Sequence, residues 1–268
     1  MSASWKERYG PVAVVAGASE GLGAAFAWAL AQRGLDLVLV ARRGELLLAL
    51  AADLKKAHAV SVTPLVADLG DASFPEKLSR ATEGLEVGLG VYNAALSVTG
   101  PLLDRPLADA LRVVDVNIAG PLRFVHTLAP AMRARRRGGL LLMSSVAGFQ
   151  GAPQLAAYAS SKAFNIVLGE SLWGELHEHG VDVVVSCAGA IRTPGYAKAT
   201  GSEAPGILDA KEVAERSVAG LGHGPLVVPG GVNKLAVFLM RRLMSTSGAV
   251  RMMQSNIAKT VGSTDAPP

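Results

Sequence analysis

Short apolar runs rich in valine and leucine recur along the chain, and segments long enough to form helices separate them. A strand that is apolar on both faces is typical of a parallel sheet covered by helices on both sides, because neither face meets water. The predicted strands are Val12–Ala16, Leu35–Val40, Val62–Val66, Gly88–Tyr92, Leu140–Met143, Val181–Ser186 and Leu226–Val228. The predicted helices include Leu22–Arg33, Gly44–Ala57, Gly120–Arg136, Leu155–His179 and Asp209–Leu221. The alternation predicts an α/β fold built from repeated βαβ units.

Units of this kind wind into one open sheet with a ligand crevice at the carboxyl ends of its strands. Because βαβ crossovers are right-handed, we expect a single doubly wound domain with a seven-stranded parallel sheet and helices on both faces. The 268 residues contain no internal repeat and no low-complexity linker, so the domain is predicted to span residues 1–268, with a C-terminal helical extension at about 232–260. The polar end at Gly262–Pro268 is expected to fray.

The composition argues against several classes of protein. Cys187 is the only cysteine, so an intramolecular disulfide and a cysteine-based metal cluster are excluded, and a reducing, cytoplasmic location is expected. No run approaches the roughly 20 apolar residues of a bilayer span, and the first ten residues lack the apolar core of a secretion signal. His177 and His179 point to different faces of a helix, so no metal site is predicted. The net charge of +4 is too small to indicate a nucleic-acid partner.

A glycine-rich loop directly follows the first predicted strand and opens the first predicted helix. Glycines let the backbone turn sharply and approach a pyrophosphate, while the N–H groups and the dipole of the helix favour an anion. The strand-to-helix position makes dinucleotide binding the stronger interpretation than a tight structural turn. The residues of this loop predicted to contact the cofactor are Gly17, Ser19, Glu20, Gly21, Leu22 and Gly23.

Arg42 and Arg43 follow the second predicted strand, where an NAD-selective fold often carries an acidic residue for the ribose 2′-hydroxyl. A guanidinium can instead hold the 2′-phosphate of NADP with two hydrogen bonds. The sequence therefore predicts NADP(H) as the cofactor. Glu20, beside the phosphate loop, is the one nearby residue that opposes this prediction.

Tyr158 and Lys162 stand four residues apart, and a helix places such a pair on one face. A tyrosine with an unperturbed pKa near 10 is almost entirely protonated at neutral pH, so acid/base work requires a nearby cation that favours the phenolate. Lys162 is the candidate for that cation. The pair is therefore predicted to transfer a proton.

Taken together, these motifs resemble those of the short-chain dehydrogenase/reductase family over roughly Pro11–Pro229. The glycine loop corresponds to the TGxxxGxG pattern of the family with Ala16 in place of threonine, and Tyr158–Lys162 reads as its YxxSK motif. Ser145 lies thirteen residues before Tyr158, the usual offset of the catalytic serine. Further positions that match the family are Asp68, Leu69, Asn93, Ala94, Ala95, Asn117, Gly189, Ile191 and Thr193, with Ala95 replacing a glycine and Ala188 a proline.

The resemblance implies a Rossmann fold and a role for each catalytic candidate. Ser145 would hydrogen-bond the substrate oxygen, and Tyr158 would donate a proton to it or remove one. Lys162 would lower the pKa of Tyr158 and hold the ribose of the nicotinamide, while Asn117 would anchor a water that relays protons to Lys162. The residues that would contact the cofactor, besides the glycine loop and the two arginines, are Asp68, Leu69, Asn93, Ala94, Ala95, Tyr158, Lys162, Gly189, Ile191 and Thr193.

The function implied is an NADP-dependent oxidoreductase that interconverts a carbonyl and an alcohol on a small molecule. One alternative is a cofactor-binding regulator or scaffold without turnover, although such a protein would not need the set Asn117, Ser145, Tyr158 and Lys162. Another is an epimerase or dehydratase on a related fold. The loop Pro194–Leu208 is predicted to shape the substrate pocket without identifying the substrate.

The segment Val232–Met244 combines apolar side chains with Arg241 and Arg242. We expect it to cap the substrate crevice or to form a subunit contact, in a homo-oligomer that is a dimer or a tetramer. A membrane-touching patch is the less favoured alternative, because the segment is short for firm anchoring.

Overall fold

The computed structural model describes residues 5–199, 204 and 206–261. Seven parallel strands form one sheet in the order β3-β2-β1-β4-β5-β6-β9, and a separate sheet pairs β7 with β8. The strands are β1 (Val12–Ala16), β2 (Asp36–Ala41), β3 (Val62–Val66), β4 (Val87–Tyr92), β5 (Gly138–Ser145), β6 (Val181–Ala188), β7 (Ile191–Arg192), β8 (Leu208–Asp209) and β9 (Leu226–Val227). The predicted doubly wound α/β fold is confirmed.

Helices connect the strands and cover both faces of the sheet. They are α1 (Trp5–Tyr9), α2 (Gly21–Gln32), α3 (Gly44–Ala57), α4 (Phe74–Ala81), α5 (Leu107–Val114), α6 (Gly120–Arg135), α7 (Ala156–His177), α8 (Pro194–Ala199), α9 (Ala210–Ala219), α10 (Gly231–Arg242) and α11 (Thr246–Val261). None of the helices in the described residues has both the length and the apolarity needed to cross a bilayer.

The core lies on both faces of the sheet because its strands are buried on both sides. All residues of β1 and β6 are buried. One apolar cluster joins alternate strand residues such as Val15 and Leu39 to Phe26 of α2, and a second joins Val14 to Phe124 of α6. This alternation explains why the strands appear as continuous apolar runs in the sequence.

The C-terminal segment packs against the rest of the domain. Val237 and Met240 of α10 lie in an apolar cluster with Ile166 of α7, and Ile257 of α11 packs near Ala159. The opposite face of α10 is exposed. The fraying predicted for Gly262–Pro268 concerns residues outside the described part of the chain.

The segment Pro194–Leu208 is not simply a loop, as the sequence suggested. It begins with α8 and ends at β8, which pairs with β7 through the registers Ile191 to Leu208 and Arg192 to Asp209. Residues 200–203 and 205 lie outside the described residues. The segment is thus closed at its base by a two-stranded sheet beside the carboxyl end of β6.

Candidate active site

A cavity of about 520 Å³ lies at the carboxyl ends of the central strands, where the sequence predicts the cofactor. Thirteen of the predicted cofactor residues line it: Gly17, Ser19, Glu20, Gly21, Leu22, Arg42, Arg43, Asp68, Leu69, Asn93, Ala94, Ala95 and Thr193. Ala41, Leu96, Val116 and Gly195 also line it and were not predicted. The chain thus brings the ends of β1, β2, β3 and β4 together around one crevice.

The glycine loop needs glycine where the chain is most crowded. Gly17 has φ +84°, and a Cβ there would lie 2.7 Å from the Ala94 backbone. A Cβ at Gly23 would lie 1.9 Å from the Gly17 carbonyl oxygen, so Gly23 shapes the loop although it does not line the cavity. Glu20 precedes α2 without capping it by its side chain, which leaves the first N–H groups of this helix for an anion.

Arg43 is held across the opening of the glycine loop. Its guanidinium lies 2.7 Å from a Glu20 carboxylate oxygen and donates to the Ser19 hydroxyl at 2.9 Å. Arg42 lines the same cavity, and both arginines are exposed. Two cations and one carboxylate therefore surround the position expected for the adenosine ribose.

Asp68 lines the cavity just after the end of β3. Its Oδ1 accepts a hydrogen bond from the Gly70 amide at 2.9 Å, and its Oδ2 pairs with Arg112 of α5. Burial alone would raise the pKa of Asp68, but these two bonds outweigh it and the pKa lies below its usual value. Asp68 is thus held as a carboxylate. The role of Arg112 was missed because its sequence position carries no motif.

Tyr158 and Lys162 occupy one face of α7, as predicted. The Lys162 ammonium lies 5.6 Å from the centre of the Tyr158 ring and donates to the Met143 carbonyl of β5 at 3.0 Å. Burial lowers the pKa of Lys162 to about 8, an effect that the nearby Cys187 thiol partly opposes. Lys162 thus titrates close to neutral pH.

The pKa of Tyr158 differs from the sequence-based expectation. Burial raises it above the usual value, and the group that lowers it is Ser145, through a hydrogen bond, rather than Lys162. In the protein alone, Tyr158 is therefore a protonated phenol, the form that donates a proton during carbonyl reduction.

Ser145 ends β5 in an extended conformation and caps a short 3₁₀ turn, Val146–Phe149. Its Oγ accepts a hydrogen bond from the Ala147 amide at 3.2 Å. This bond uses a lone pair and leaves the hydroxyl hydrogen available. Ser145 can therefore donate to the oxygen of Tyr158 or to a substrate oxygen.

Asn117 lies in a π-helical turn, Asp115–Ala119, between α5 and α6. Its side chain is fully buried and bridges two parts of the site. Oδ1 accepts from the Leu96 amide at 2.7 Å, whereas Nδ2 donates to the Leu96 carbonyl at 2.8 Å and to Ser161 Oγ at 2.9 Å. π-Turns inside helices are often found at functional sites. Asn117 thus connects the loop that follows β4 and contains Leu96 (the cofactor loop) to α7, which carries Tyr158 and Lys162 (the catalytic helix).

Five predicted cofactor residues do not line the cavity: Gly23, Tyr158, Lys162, Gly189 and Ile191. Gly189 follows β6 and packs closely against Asn233. A Cβ at position 189 would lie only 2.6 Å from Asn233 Oδ1. Ile191 lies in β7. Their neighbour Thr193 does line the cavity, and its hydroxyl accepts a hydrogen bond from the Tyr196 amide at 3.1 Å.

Known proteins resemble this chain in sequence and in fold. Residues 11–204 match the family model described as short chain dehydrogenase. The chain belongs to this family. As a short-chain dehydrogenase it is an oxidoreductase, and its relatives are named as dehydrogenases and reductases acting on hydroxyl or carbonyl groups.

Three similar proteins show how much of the chain the similarity covers. A 7β-hydroxysteroid dehydrogenase of Collinsella aerofaciens is 30% identical over 242 residues, 87% of this chain and 90% of the relative. A structure from work on 7β-hydroxysteroid dehydrogenase stereoselectivity has a TM-score of 0.88 at 28% identity, covering 94% of this chain and 99% of that one. A Sphingobium yanoikuyae enzyme in complex with NADPH has a TM-score of 0.75 at 29% identity, covering 82% and 87%.

Proposed function

We propose that this short-chain dehydrogenase interconverts a carbonyl and an alcohol with NADP(H), using Tyr158 as acid and base together with Ser145, Lys162 and Asn117. The observation that carries the proposal is the position of the buried Lys162 ammonium, 5.6 Å from the centre of the Tyr158 ring on the same face of α7. The Ser145 hydroxyl also acts on Tyr158, since it lowers the pKa of the phenol. A protonated phenol and a nearby serine hydroxyl can both donate to one carbonyl oxygen.

In reduction, Ser145 orients the carbonyl oxygen and Tyr158 gives that oxygen its proton. A bound nicotinamide cofactor would supply the hydride. In the reverse direction Tyr158 takes the proton from the alcohol. The positive charge of Lys162 stabilises the phenolate that remains after proton donation, and its burial strengthens this interaction. The residues that would hold the cofactor are those that line the crevice, together with Tyr158 and Lys162. The glycine loop suits a pyrophosphate because Gly17 and Gly23 allow the tight turn that brings the N-terminus of α2 to the crevice.

The preference for NADP(H) over NAD(H) rests on Arg42 and Arg43. Charge-assisted hydrogen bonds to a phosphate contribute about 1.5–3 kcal/mol each. Because Glu20 already binds Arg43, we expect Arg42 to provide most of the affinity for the 2′-phosphate. Arg42→Ala should raise the Kd for NADPH about tenfold and leave that for NADH nearly unchanged, as measured by titration calorimetry.

Glu20→Gln complements Arg42→Ala, because it removes the negative charge that pairs with Arg43. Removing the carboxylate releases Arg43 from its ion pair, so NADPH should bind several-fold more tightly while NADH does not. A wild-type protein that binds NADH more tightly than NADPH would show that the proposed cofactor preference is wrong.

The proposed substrates are bulky, largely apolar alcohols or ketones, with hydroxysteroids as the first class to test. The support is the similarity to 7β-hydroxysteroid dehydrogenases over nearly the whole chain, in sequence and in structure.

NADPH absorbance should be followed against a carbonyl panel that contains 7-oxosteroids, 3-oxoacyl thioesters and small ketones. We expect turnover by the wild type, and loss of turnover by at least a thousandfold in Tyr158→Phe, since this change removes the only proposed proton donor. NADPH binding should persist in the variant. Carbonyl reduction by Tyr158→Phe at the wild-type rate would contradict the assignment.

A further inference from the structure

Asn165 is a buried polar residue on the catalytic helix to which neither the sequence motifs nor the proposed mechanism gives a role. It stands three residues after Lys162 and seven after Tyr158 on α7, so these side chains share one face of the helix. Only 2% of its surface is exposed. A polar side chain buried this deeply requires hydrogen-bond partners.

The Asn165 amide has its partner in the backbone of Asn117. Nδ2 donates to the Asn117 carbonyl oxygen at 3.1 Å. In a regular α-helix this carbonyl would accept from the residue four positions later, which is Pro121, and proline has no N–H group. Asn165 therefore supplies the hydrogen bond that Pro121 cannot donate.

The same proline leaves the Val116 carbonyl without a helical donor. In the π-turn, the Gly120 amide donates to the Asp115 carbonyl, and the next bond of this pattern would again require an N–H on Pro121. The Tyr92 hydroxyl takes this place and donates to the Val116 carbonyl at 2.6 Å. Two side chains from neighbouring elements thus hold the turn that contains Asn117.

The bond from Asn165 reaches the cofactor crevice through the side chain of Asn117. That side chain binds both backbone groups of Leu96, which lines the crevice, and also Ser161. Ser161 in turn donates to the Tyr158 carbonyl at 2.7 Å. Asn165, Asn117 and Ser161 therefore connect the catalytic helix and the cofactor loop at the level of Tyr158 and Lys162.

Burial of the carbonyl oxygen of the Asn165 side chain is energetically unfavourable. Its Oδ1 is buried and makes no hydrogen bond within the described residues. Burying an unpaired acceptor is unfavourable, and a leucine of similar size would avoid it. Filling space thus does not account for a polar residue at this position, whereas the bond to Asn117 does.

We propose that Asn165 is a positioning residue: it fixes the Asn117 turn against the catalytic helix and so keeps Tyr158 and Lys162 in register with the bound cofactor. The inference rests on the proposed function, because its main measurement is turnover. It adds a residue that touches neither substrate nor cofactor and acts through the Asn117 carbonyl.

The experiment compares Asn165→Leu and Asn165→Asp with the adjacent control Ile166→Ala. Leucine removes both polar ends, and aspartate keeps the shape but removes the N–H donors. A displacement of catalytic groups by about 1 Å can cost a hundredfold in rate. We expect kcat to fall roughly tenfold to a hundredfold in both Asn165 variants, with a change of less than about threefold in the KM for the carbonyl.

The control separates positioning from general destabilisation. Ile166 is buried in an apolar cluster, so Ile166→Ala should lower the melting temperature and leave kcat near the wild-type value in the folded protein. Folded Asn165 variants with wild-type kcat would overturn the inference. Equal losses of kcat in Ile166→Ala and in the Asn165 variants would overturn it as well. If Asn165→Leu does not fold, Asn165→Asp carries the comparison.

NADPH binding provides a readout that does not depend on turnover. Since Asn117 holds Leu96 at the crevice, both Asn165 variants should bind NADPH at least about threefold more weakly than the wild type and the control. If the wild type binds NADPH but reduces no carbonyl, the proposed function fails while this comparison still decides the inference. Unchanged binding in that case would overturn the inference too.

Discussion

At the scale of single residues, the buried charge of Lys162 links the chemistry of the site to the stability of the fold. Its pKa is about 8 in the folded protein, against about 10.4 in an unfolded chain. Below pH 8 both states carry the proton and the folded state bears the full cost of burying the charge. Between about pH 8 and 10.4 only the unfolded chain keeps the proton, so this cost disappears as the pH rises.

Lys162→Met should therefore be inactive and yet more stable than the wild type at pH 7, by an amount of the order of 3 kcal/mol. The gain should shrink steadily as the pH is raised from about 8 towards 10. Urea unfolding of both proteins at several pH values measures this difference in the free energy of unfolding. The other titrating groups are the same in both proteins, so their contributions cancel in the difference. A gain that does not change over this range would mean that Lys162 is not a buried charge in the folded protein.

The residues that the sequence predicted and those that it missed differ in how their contacts arise. Tyr158 and Lys162 are neighbours through helical spacing, and Gly17–Gly23 is one continuous loop, so local rules suffice. Arg112 meets Asp68 only because the fold brings α5, which follows β4 in the chain, to the end of β3. Asn165 meets Asn117 across two helices. Such partners are defined by packing, and no spacing rule in the sequence identifies them.

At the scale of elements, the π-turn between α5 and α6 depends on groups from outside its own helix. Tyr92→Phe would leave the Val116 carbonyl buried without a donor, because Pro121 cannot replace the lost hydroxyl. We expect the free energy of unfolding to fall by about 1–3 kcal/mol. Urea unfolding measures the loss, and Tyr196→Phe, at a less buried site, is the comparison that should cost less.

The elements that the sequence predicted correctly are those with a strong local pattern. The predicted strand Val62–Val66 and helix Gly44–Ala57 coincide with the observed ones, and most other boundaries differ by one or two residues. The helices α4 and α5 were not predicted, since each has only eight residues and is shorter than the roughly 11 residues over which a helical period can be recognised. The pairing of β7 with β8 involves two residues on each side and has no pattern of its own.

At the scale of the whole molecule, continuous apolar strands and right-handed crossovers were sufficient to predict the architecture. They do not define which outer surfaces meet another molecule, because an exposed apolar face looks the same in the sequence as a face that packs within the domain. One such exposed apolar face lies on α5 and α7, two helices that contact each other. Its large exposed side chains are Leu107 and Leu111 of α5 and Val167 of α7. Leu235 and Phe238 form a second exposed set on α10.

The predicted homo-oligomer is best tested on the first of these faces, since it spans two packed helices and a broad apolar surface favours a subunit contact. Leu111→Glu combined with Val167→Glu should lower the molar mass measured by light scattering after size exclusion, because buried carboxylates at a contact are unfavourable. Leu235→Glu on α10 is the matched control and should leave the mass unchanged. A loss of mass in the control alone would place the contact on α10, and a monomeric wild type would show that the prediction is wrong.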